Sequence, residues 1–255
     1  MTISGGVAIV TGGATGIGRA VCEGLALRGV KAVIVNYAHS AEAAEETAGR
    51  LRASGCAAAA VEADVSSEAS VRQMVERALA DHKRLDLLVN SAATTRFIPF
   101  PDLDALTDDV WQRLLATNLL GPFYAARAAA NALRASNGAI VNVASIAGHR
   151  GMGSSIPYGV SKAALLQLTR DLAIALAPEV RVNAVSPGHV DTRWHSDHLG
   201  EEAARALAVE KAGGEPLARV ATAEDVAEVI LSLADAQMVT GQTLIVDGGK
   251  HLAYS

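Results

Sequence analysis

Residues 7–20 of the chain read Val7-Ala8-Ile9-Val10-Thr11-Gly12-Gly13-Ala14-Thr15-Gly16-Ile17-Gly18-Arg19-Ala20. The apolar run at the start is rich in β-branched residues and has no polar alternation, which is typical of a strand buried on both faces. The glycines allow a tight turn, and the segment near 17–28 has the periodicity of an amphipathic helix. The stretch therefore predicts a buried strand, a glycine-rich turn and a helix in direct succession.

The same alternation continues to the end of the chain. Short apolar runs predict seven strands, at Val7–Val10, Ala32–Val35, Ala57–Val61, Leu85–Val89, Ala139–Val143, Val180–Val185 and Thr243–Val246. Ala- and Leu-rich segments predict helices between them, near 17–28, 41–53, 67–80, 108–134, 158–177 and 223–234. Repeated strand–helix units favour a parallel sheet with right-handed crossovers. We expect an α/β fold with one domain over residues 1–255, in which a doubly wound, Rossmann-like, seven-stranded parallel sheet has helices on both faces.

The longest stretch without a clear strand covers residues 191–222. It contains an Ala- and Glu-rich helical piece, which the segment Gly213-Gly214-Glu215-Pro216 follows. Long irregular segments in a compact domain are usually functional or disordered. We predict that this stretch is a partly helical lid over a substrate site.

Composition excludes several classes of protein. The chain has 255 residues, 50% hydrophobic and 19% charged, with a net charge of −5, which excludes intrinsic disorder. The acidic balance and the absence of Lys/Arg runs argue against a nucleic-acid partner. Two cysteines, Cys22 and Cys56, are too few for a disulfide scaffold or a four-thiolate zinc site. No apolar run approaches the ~18 residues of a membrane helix, so we expect no membrane association and a cytoplasmic location.

The glycine-rich turn is the first candidate binding site. Gly12, Gly16 and Gly18 permit a tight turn, close approach of the backbone to a ligand, and close packing of helix on strand. The N-terminus of the following helix offers unpaired N–H groups to a pyrophosphate, with Thr15 and Ile17 beside it. Glycine also marks ordinary loops, but the position between the first strand and the first helix favours dinucleotide binding.

The ends of the second and third strands carry further candidates. The second strand ends at Asn36, where an acidic residue would bind the ribose hydroxyls of an adenosine and repel a 2′-phosphate. Neutral Asn36 is followed by the donors Tyr37, His39 and Ser40. The third strand ends at Asp64-Val65, and Asp64 either accepts a hydrogen bond from an adenine amino group or is an ordinary turn residue. The sequence alone leaves both roles open.

A Tyr and a Lys four residues apart form the second motif. Tyr158 and Lys162 open an Ala- and Leu-rich helix, and residues at i and i+4 share one helix face. Ser145 lies at the carboxyl end of the fifth strand, the edge at which ligands bind in open α/β sheets. Alone, Tyr158 and Lys162 are equally consistent with a surface Tyr beside a solvated Lys. Together with Ser145 and the glycine turn they favour a catalytic site.

These motifs resemble the short-chain dehydrogenase/reductase family, in its single-domain branch, over essentially the whole chain. The resemblance is carried by Thr11–Gly18, Asp64, Asn90-Ser91-Ala92-Ala93, Asn118, Ser145, Tyr158 with Lys162, Pro187-Gly188 with Thr192, and Val246-Asp247-Gly248-Gly249. It implies a catalytic tetrad of Asn118, Ser145, Tyr158 and Lys162, in which Asn118 anchors a water. It also implies cofactor contacts at Asn90, Ala92, Pro187, Gly188, Val190 and Thr192, in addition to Tyr158 and Lys162.

The sequence departs from the family pattern near the cofactor. Ala93 stands where relatives usually carry glycine, and Thr15 stands where many NADP-dependent relatives carry Arg or Lys. The segment Ala234–Met238 is shorter than usual. Within the family, the chain is most similar to 3-oxoacyl-thioester reductases and to related sugar and alcohol dehydrogenases.

The resemblance implies an NAD(P)-dependent oxidoreductase that transfers a hydride between nicotinamide and a ketone or secondary alcohol. Neutral Asn36 favours NADP(H), with NAD(H) also possible because Thr15 supplies no charge to the 2′-phosphate. An NAD-preferring dehydrogenase of a secondary alcohol, sugar or steroid is one alternative. A non-catalytic sensor of nicotinamide redox state is another, although a sensor has no need of an acid–base pair.

The sequence constrains the substrate contacts and the partners less than it constrains the catalytic site. Candidate wall residues of the substrate site are Thr95, Arg96, Phe97, His149, Met152, Trp194 and His195. His195 and His198 in the lid lack a third convergent ligand, so we expect no metal. Helices 108–134 and 158–177 are more apolar than one sheet-facing stripe requires, which predicts a homo-oligomer, and the resemblance implies a tetramer. Arg127 and Arg134 form only a small basic patch, so an acidic acyl carrier protein stays an open partner.

Overall fold

Parallel strands form the centre of the computed structural model, which describes residues 3–194, 196 and 200–252. The strands are β1 Val7–Thr11, β2 Ala32–Tyr37, β3 Ala57–Glu62, β4 Leu87–Asn90, β5 Ala139–Val143, β6 Arg181–Pro187, β7 Val190–Asp191, β8 Ala221–Thr222 and β9 Thr243–Val246. Seven of them pair in parallel in the order β3-β2-β1-β4-β5-β6-β9. The predicted seven-stranded, doubly wound sheet is confirmed.

Helices cover both faces of this sheet. They are α1 Gly16–Leu27, α2 Ala41–Ala53, α3 Glu68–His82, α4 Asp108–Leu115, α5 Gly121–Ser136, α6 Ile156–Ala175, α7 Glu201–Gly213 and α8 Ala223–Asp235. Because side chains alternate along a strand, Val10 packs into one apolar layer with Leu25 and Ile230, and Ile9 packs into the other with Met74 and Leu133. Among the described helices, none has both the length and the apolar composition needed to cross a bilayer.

The helix predicted over 108–134 is interrupted. A π-helical segment, Ala116–Leu120, separates α4 from α5. Pro122 lies in the first turn of α5 and has no backbone N–H with which to continue an α-helical hydrogen-bond ladder. The π-helical segment places the fully buried Asn118 toward the interior of the protein.

The stretch 191–222 contains helix α7 and, at its two ends, a short ladder of two strands. A two-stranded parallel ladder joins Val190–Asp191 to Ala221–Thr222, so the two ends of the segment are tied together. Strands of two residues are too short to show periodicity, so the sequence did not predict this ladder. Helix α7 accounts for the Ala- and Glu-rich piece of the segment.

The strand order reverses beside β1. Strand β1 pairs with β2 on one side and with β4 on the other, so consecutive crossovers lead to opposite halves of the sheet. A crevice forms outside the carboxyl ends of the strands at such a switch point. The glycine turn between β1 and α1 lies at this crevice.

A buried chain of hydrogen bonds connects β4, β5 and α6. Asn90 Nδ2 donates to Asn142 Oδ1 over 2.8 Å, and Asn142 Nδ2 donates to Thr169 Oγ1 over 2.9 Å. The Thr169 hydroxyl donates in turn to the carbonyl oxygen of Leu165 over 2.8 Å. This chain fixes the orientation of α6, the helix that carries Tyr158 and Lys162.

Replacing Thr169 with Val should reduce stability. Valine has nearly the same shape but no hydroxyl, so the buried Nδ2 of Asn142 loses its acceptor, which typically costs about 1–3 kcal/mol. Urea unfolding should show a decrease of that size in the free energy of unfolding of Thr169→Val. An unchanged or increased free energy of unfolding would contradict a role for this chain of hydrogen bonds.

Candidate active site

A cleft of about 1130 Å³ opens at the carboxyl edge of the sheet. Its walls come from the glycine turn, the ends of β2 to β6 and the segment after β6. The predicted site residues that line it are Gly12, Thr15, Gly16, Ile17, Asn36, Tyr37, His39, Ser40, Asp64, Val65, Ala92, Ser145, Tyr158, Lys162, Pro187, Gly188, Val190 and Thr192. Residues from seven parts of the chain are thus brought to one cavity.

Three predicted site residues lie behind the cleft wall and do not line it. Gly18 packs against the glycine turn, where an added Cβ would lie 2.2 Å from the carbonyl oxygen of Gly12. Asn90 belongs to the buried hydrogen-bond chain with Asn142. Asn118 lies in the buried π-helical segment. For these residues the structure supports an indirect role, in which they hold the wall in place.

The glycine turn fits a pyrophosphate group. Gly12 and Gly16 have φ angles of +63° and +51°, in the left-handed region that favours glycine. An added Cβ at Gly12 would lie 2.9 Å from the Cα of Ala92, so the turn also packs closely on the segment after β4. The N-terminus of α1 follows at Gly16, and its first residues, Gly16 and Ile17, line the same cleft, where a helix N-terminus favours an anion.

The hydrogen-bonding groups of the Asn36 side chain are largely occupied by other residues of the protein. Its side chain is buried, and Nδ2 donates to the carbonyl oxygens of Val61 and Ala63 over 3.3 and 3.0 Å. Its Oδ1 accepts from the N–H of Gly12 over 3.3 Å. Asn36 therefore ties the glycine turn to β3, and the donors left for a ligand come from the loop that follows it.

Asp64 shows the geometry of a turn residue. Its Oδ1 accepts from the backbone N–H of Ser66 over 2.9 Å and from the Ser66 hydroxyl over 2.7 Å. The side chain is exposed and lines the cleft. The two interpretations of the sequence are compatible, because a carboxylate has acceptor sites beyond those used in the turn.

Tyr158, Lys162 and Ser145 meet at the centre of the cleft. Lys162 Nζ lies 5.8 Å from the centroid of the Tyr158 ring and donates to the carbonyl oxygen of Val143 over 2.8 Å. Ser145 Oγ accepts from the N–H of Ala147 over 3.1 Å, and the Ser145 side chain lies close enough to the Tyr158 phenol to lower its pKa. A phenol, a hydroxyl and an ammonium group therefore converge on one point.

Asn118 supports this group through two residues that the sequence did not single out. Its Oδ1 accepts from the N–H of Thr94 over 2.8 Å, and its Nδ2 donates to the Thr94 carbonyl oxygen and the Ser161 hydroxyl, both over 3.0 Å. Ser161 Oγ donates to the carbonyl oxygen of Tyr158 over 2.7 Å. Asn118 thus links the segment after β4 to the turn of α6 that carries Tyr158. These partners are far apart in sequence, so no local pattern reveals them.

The substrate side of the cleft agrees only partly with the sequence prediction. Phe97, Met152 and Trp194 line it, and the Trp194 ring lies 6.3 Å from the Tyr158 ring, centroid to centroid. Thr95, Arg96 and His149 do not line it, and His149 Nε2 instead lies 2.9 Å from Ser186 Oγ. The lining residues missed from the sequence include Arg113, Leu207, Glu215 and Lys250. His195 and His198 lie outside the described residues.

Comparisons with known proteins agree with this geometry. A family model described as enoyl-(acyl carrier protein) reductase matches residues 12–251. A Streptomyces violaceoruber protein named "Granaticin polyketide synthase putative ketoacyl reductase 2" is 46% identical, with 96% of each chain covered. A short-chain type dehydrogenase/reductase from Mycobacterium marinum superposes with a TM-score of 0.88 at 31% identity, covering 99% of this chain and 98% of that one. The chain belongs to the short-chain dehydrogenase/reductase family.

A third comparison bears on the cofactor of this short-chain dehydrogenase/reductase. A gluconate 5-dehydrogenase from Burkholderia cenocepacia, solved with NADP and tartrate, superposes with a TM-score of 0.88 at 30% identity. The match covers 99% of this chain and 98% of that chain. The protein is an oxidoreductase that depends on a nicotinamide cofactor, NAD or NADP.

Burial changes the protonation of the two central groups in opposite directions. Burial raises the pKa of Tyr158, because the phenolate is disfavoured away from water, and the Ser145 hydrogen bond partly offsets this. Burial lowers the pKa of Lys162 to about 8, because the ammonium loses its hydration. At neutral pH the folded protein therefore holds a neutral phenol beside a positive ammonium group.

The stability of the protein should depend on pH through Lys162. Its pKa is about 8 in the folded state and 10.5 ordinarily, so burying the charged form lowers stability below pH 8. Stability rises with pH between about 8 and 10.5, because the unfolded chain binds the Lys162 proton more tightly than the folded protein does. The free energy of unfolding of wild type, relative to Lys162→Met, should rise by roughly 2–3 kcal/mol between pH 8 and 10.

The exposed Lys31 provides the matched control for this measurement. Lys31→Met removes the same charge without removing a buried ammonium group. Urea titrations of the three proteins at several pH values separate the two sites. A pH-independent difference between wild type and Lys162→Met would contradict the lowered pKa.

Proposed function

We propose that the protein is an NADP(H)-preferring reductase of ketones, running in reverse as a secondary-alcohol dehydrogenase. The observation that carries the proposal is the convergence of Tyr158, Ser145 and the buried Lys162 at one point of the cleft. A carbonyl reduction needs a proton donor and an orienting hydrogen bond at the same oxygen, and this group provides both.

Each residue has a separate role in the proposal. When bound, the nicotinamide cofactor supplies hydride to the carbonyl carbon or takes it from the corresponding alcohol. Tyr158 donates its proton to the carbonyl oxygen in reduction and accepts it in oxidation. Ser145 hydrogen-bonds to the same oxygen and orients the substrate. The Lys162 ammonium stabilises the tyrosinate that is left, because an opposite charge within about 4–6 Å favours the ionised form.

Asn118 has a positioning role in this proposal. Its hydrogen bonds to Thr94 and Ser161 hold the segment after β4 against the turn of α6 on which Tyr158 is placed. The π-helical segment brings the Asn118 side chain to this position. We assign the anchoring of a water to Asn118 by family resemblance, in addition to this support.

The preference for NADP(H) follows from the loop after β2. Tyr37, Ala38, His39 and Ser40 line the cleft and include no carboxylate to repel a 2′-phosphate. Thr15, in the glycine turn, carries no positive charge, and a hydrogen bond to a charged group contributes roughly 1.5–3 kcal/mol. The preference is therefore moderate, about ten-fold over NAD(H).

Free ketones, such as simple 3-oxoacyl compounds, are substrates in addition to carrier-bound ones. The basic residues that would dock an acidic carrier are engaged within the protein. Arg127 forms an ion pair with Glu68 over 2.6 Å, and Arg134 donates to the carbonyl oxygen of Ala175 over 3.3 Å. Arg134 keeps its charge, but one cation steers an acidic partner only weakly.

The protein also assembles as a homo-oligomer in this proposal, with a tetramer implied by the family. Apolar side chains on α6 and β9 are exposed in the isolated chain, including Val160, Ile174 and Leu244 at 45%, 81% and 45% of their surface. Self-complementary contacts in a closed, symmetric assembly would bury them.

Removing the phenolic hydroxyl should abolish most of the activity. Tyr158→Phe should keep the fold and cofactor binding, and should lose at least ~10²-fold in kcat, because proton transfer by a positioned side chain contributes about 10²–10⁴-fold. Tyr124→Phe makes the same change on α5, outside the cleft, and should leave kcat unaltered. Full activity of Tyr158→Phe with NADPH and ketones would refute the mechanism.

The cofactor preference can be tested without disturbing Asn36. Asn36→Asp would place a carboxylate oxygen against the carbonyl oxygens of Val61 and Ala63, so it would perturb the fold as well as the site. Ala38→Asp adds a charge in the cleft loop and should reverse the order of kcat/KM for NADPH and NADH, whereas the neutral Ala38→Asn should not. Thr15→Arg should sharpen the preference for NADPH. A wild type that prefers NADH would count against the proposal.

A further inference from the structure

Glu215 is a buried carboxylate that the reaction described above does not use. It follows α7 in the chain and is only 7% exposed, yet it lines the cleft together with Trp194, Leu207 and Lys250. Its Oε2 packs against Gly248, where an added Cβ would lie 2.9 Å from that oxygen. The absence of a side chain at Gly248 therefore gives the carboxylate room to occupy this position.

Within the part of the chain that the structure describes, Oε2 of Glu215 has no hydrogen-bond partner. The nearby cations donate elsewhere. Lys250 Nζ donates to the carbonyl oxygen of Gly214 over 2.9 Å, and Arg219 Nη2 donates to Asp225 over 2.9 Å. The neighbouring Asp247 offers only acceptors, which His251 and Gly249 occupy.

An unpaired carboxylate at this depth reduces stability. Burial, together with the charge of Asp247, raises the pKa of Glu215, and Lys250 and Arg219 partly offset this effect. Leaving a buried acceptor unpaired lowers stability, and more so for a charged group. Perturbed ionisable groups of this kind in a cleft are candidates for a functional role.

We propose that Glu215 is a specificity-determining residue, whose carboxylate accepts a hydrogen bond from a hydroxyl group that the substrate carries in addition to its reacting oxygen. The inference rests on the proposed reductase function and makes it more specific. Hydroxyketones, and the diols formed from them, are then preferred to ketones with a single oxygen. Such a substrate supplies the carboxylate with a hydrogen-bond donor in the cleft.

The carboxylate and the reacting centre belong to the same cavity. Trp194 lies 6.3 Å from Tyr158, ring centroid to centroid, and lines the cleft with Glu215. Asp247 lies beside both Gly188 of the cleft wall and Glu215, since an added Cβ at Gly188 would lie 2.6 Å from the Asp247 Cβ and the Asp247 charge acts on Glu215. A site that hydrogen-bonds a substrate hydroxyl rejects the analogue without it, because the acceptor is then left buried and unpaired.

The test uses cyclohexanone and its 2-, 3- and 4-hydroxy derivatives as probes with NADPH. The three isomers sample three separations between the carbonyl and the hydroxyl. Wild type should show a kcat/KM for at least one hydroxyketone about ten-fold or more above that for cyclohexanone. Glu215→Leu should abolish this preference and keep cyclohexanone reduction within about three-fold of wild type. Glu215→Gln, which keeps one acceptor oxygen, should retain part of the preference.

Stability and binding measurements separate recognition from a structural role. Glu215→Leu should unfold at the same or a higher temperature than wild type, because it removes an unpaired buried carboxylate. In protein without cofactor, quenching of tryptophan fluorescence should show that wild type binds cyclohexane-1,4-diol more tightly than cyclohexanol, and that Glu215→Leu binds both alike. Glu202→Leu, at an exposed position in the first turn of α7, is the matched control and should match wild type in both assays.

The possible outcomes distinguish this inference from the proposed function. If wild type reduces none of the ketones and oxidises none of the alcohols, the reductase function fails, and diol binding still tests Glu215. If wild type reduces cyclohexanone and the hydroxyketones equally well, the role of Glu215 is refuted and the reductase function stands. The role is also refuted if Glu215→Leu or Glu215→Gln lowers kcat/KM for all four ketones in the same proportion.

Discussion

The hydrogen bond from Lys162 Nζ to the carbonyl oxygen of Val143 is the contact around which the site is organised. An ammonium group that is 2% exposed is stable in a folded protein only where fixed dipoles replace its hydration. The carbonyl at the end of β5 provides such a dipole and sets the distance between α6 and the sheet. Since Tyr158 lies one turn earlier on the same face of α6, this contact also sets the position of the phenol.

Buried polar groups around this contact explain why it holds. Asn142 on β5 and Thr169 on α6 hydrogen-bond across the same strand–helix interface, and Asn118 and Ser161 secure the beginning of α6 from the side of β4. Each of these polar groups has a hydrogen-bond partner, so its burial costs little stability. The hydrogen bonds also restrict the orientation of α6. Apolar packing alone would leave α6 free to slide by fractions of an ångström, which matters for proton transfer over hydrogen-bond distances.

Sequence patterns were informative where the determining contacts are local. The β-branched runs located all seven strands of the sheet, and the Tyr158–Lys162 spacing placed two functional groups on one helix face. The π-helical segment and the β7–β8 ladder were missed, because each is shorter than the window in which periodicity can be detected. The hydrogen-bond partners of Asn36, Asn90 and Asn118 were also missed, because residues more than twenty positions away provide them. Glu215 was quoted only as part of a loop, since nothing in its neighbourhood marks it as buried.

Lys162 and Glu215 differ in how the protein treats a buried charge. Lys162 has a carbonyl acceptor in the protein itself, so its environment is complete before any ligand arrives, as a group that acts in every turnover requires. Glu215 Oε2 has none among the described residues, and in our proposal the substrate supplies a donor to this carboxylate. A preformed partner favours a high reaction rate, because the site does not have to reorganise during the reaction. A missing partner gives selectivity, because only a ligand with the right donor removes the penalty. In our proposal the cleft therefore uses Lys162 for catalysis and Glu215 for recognition.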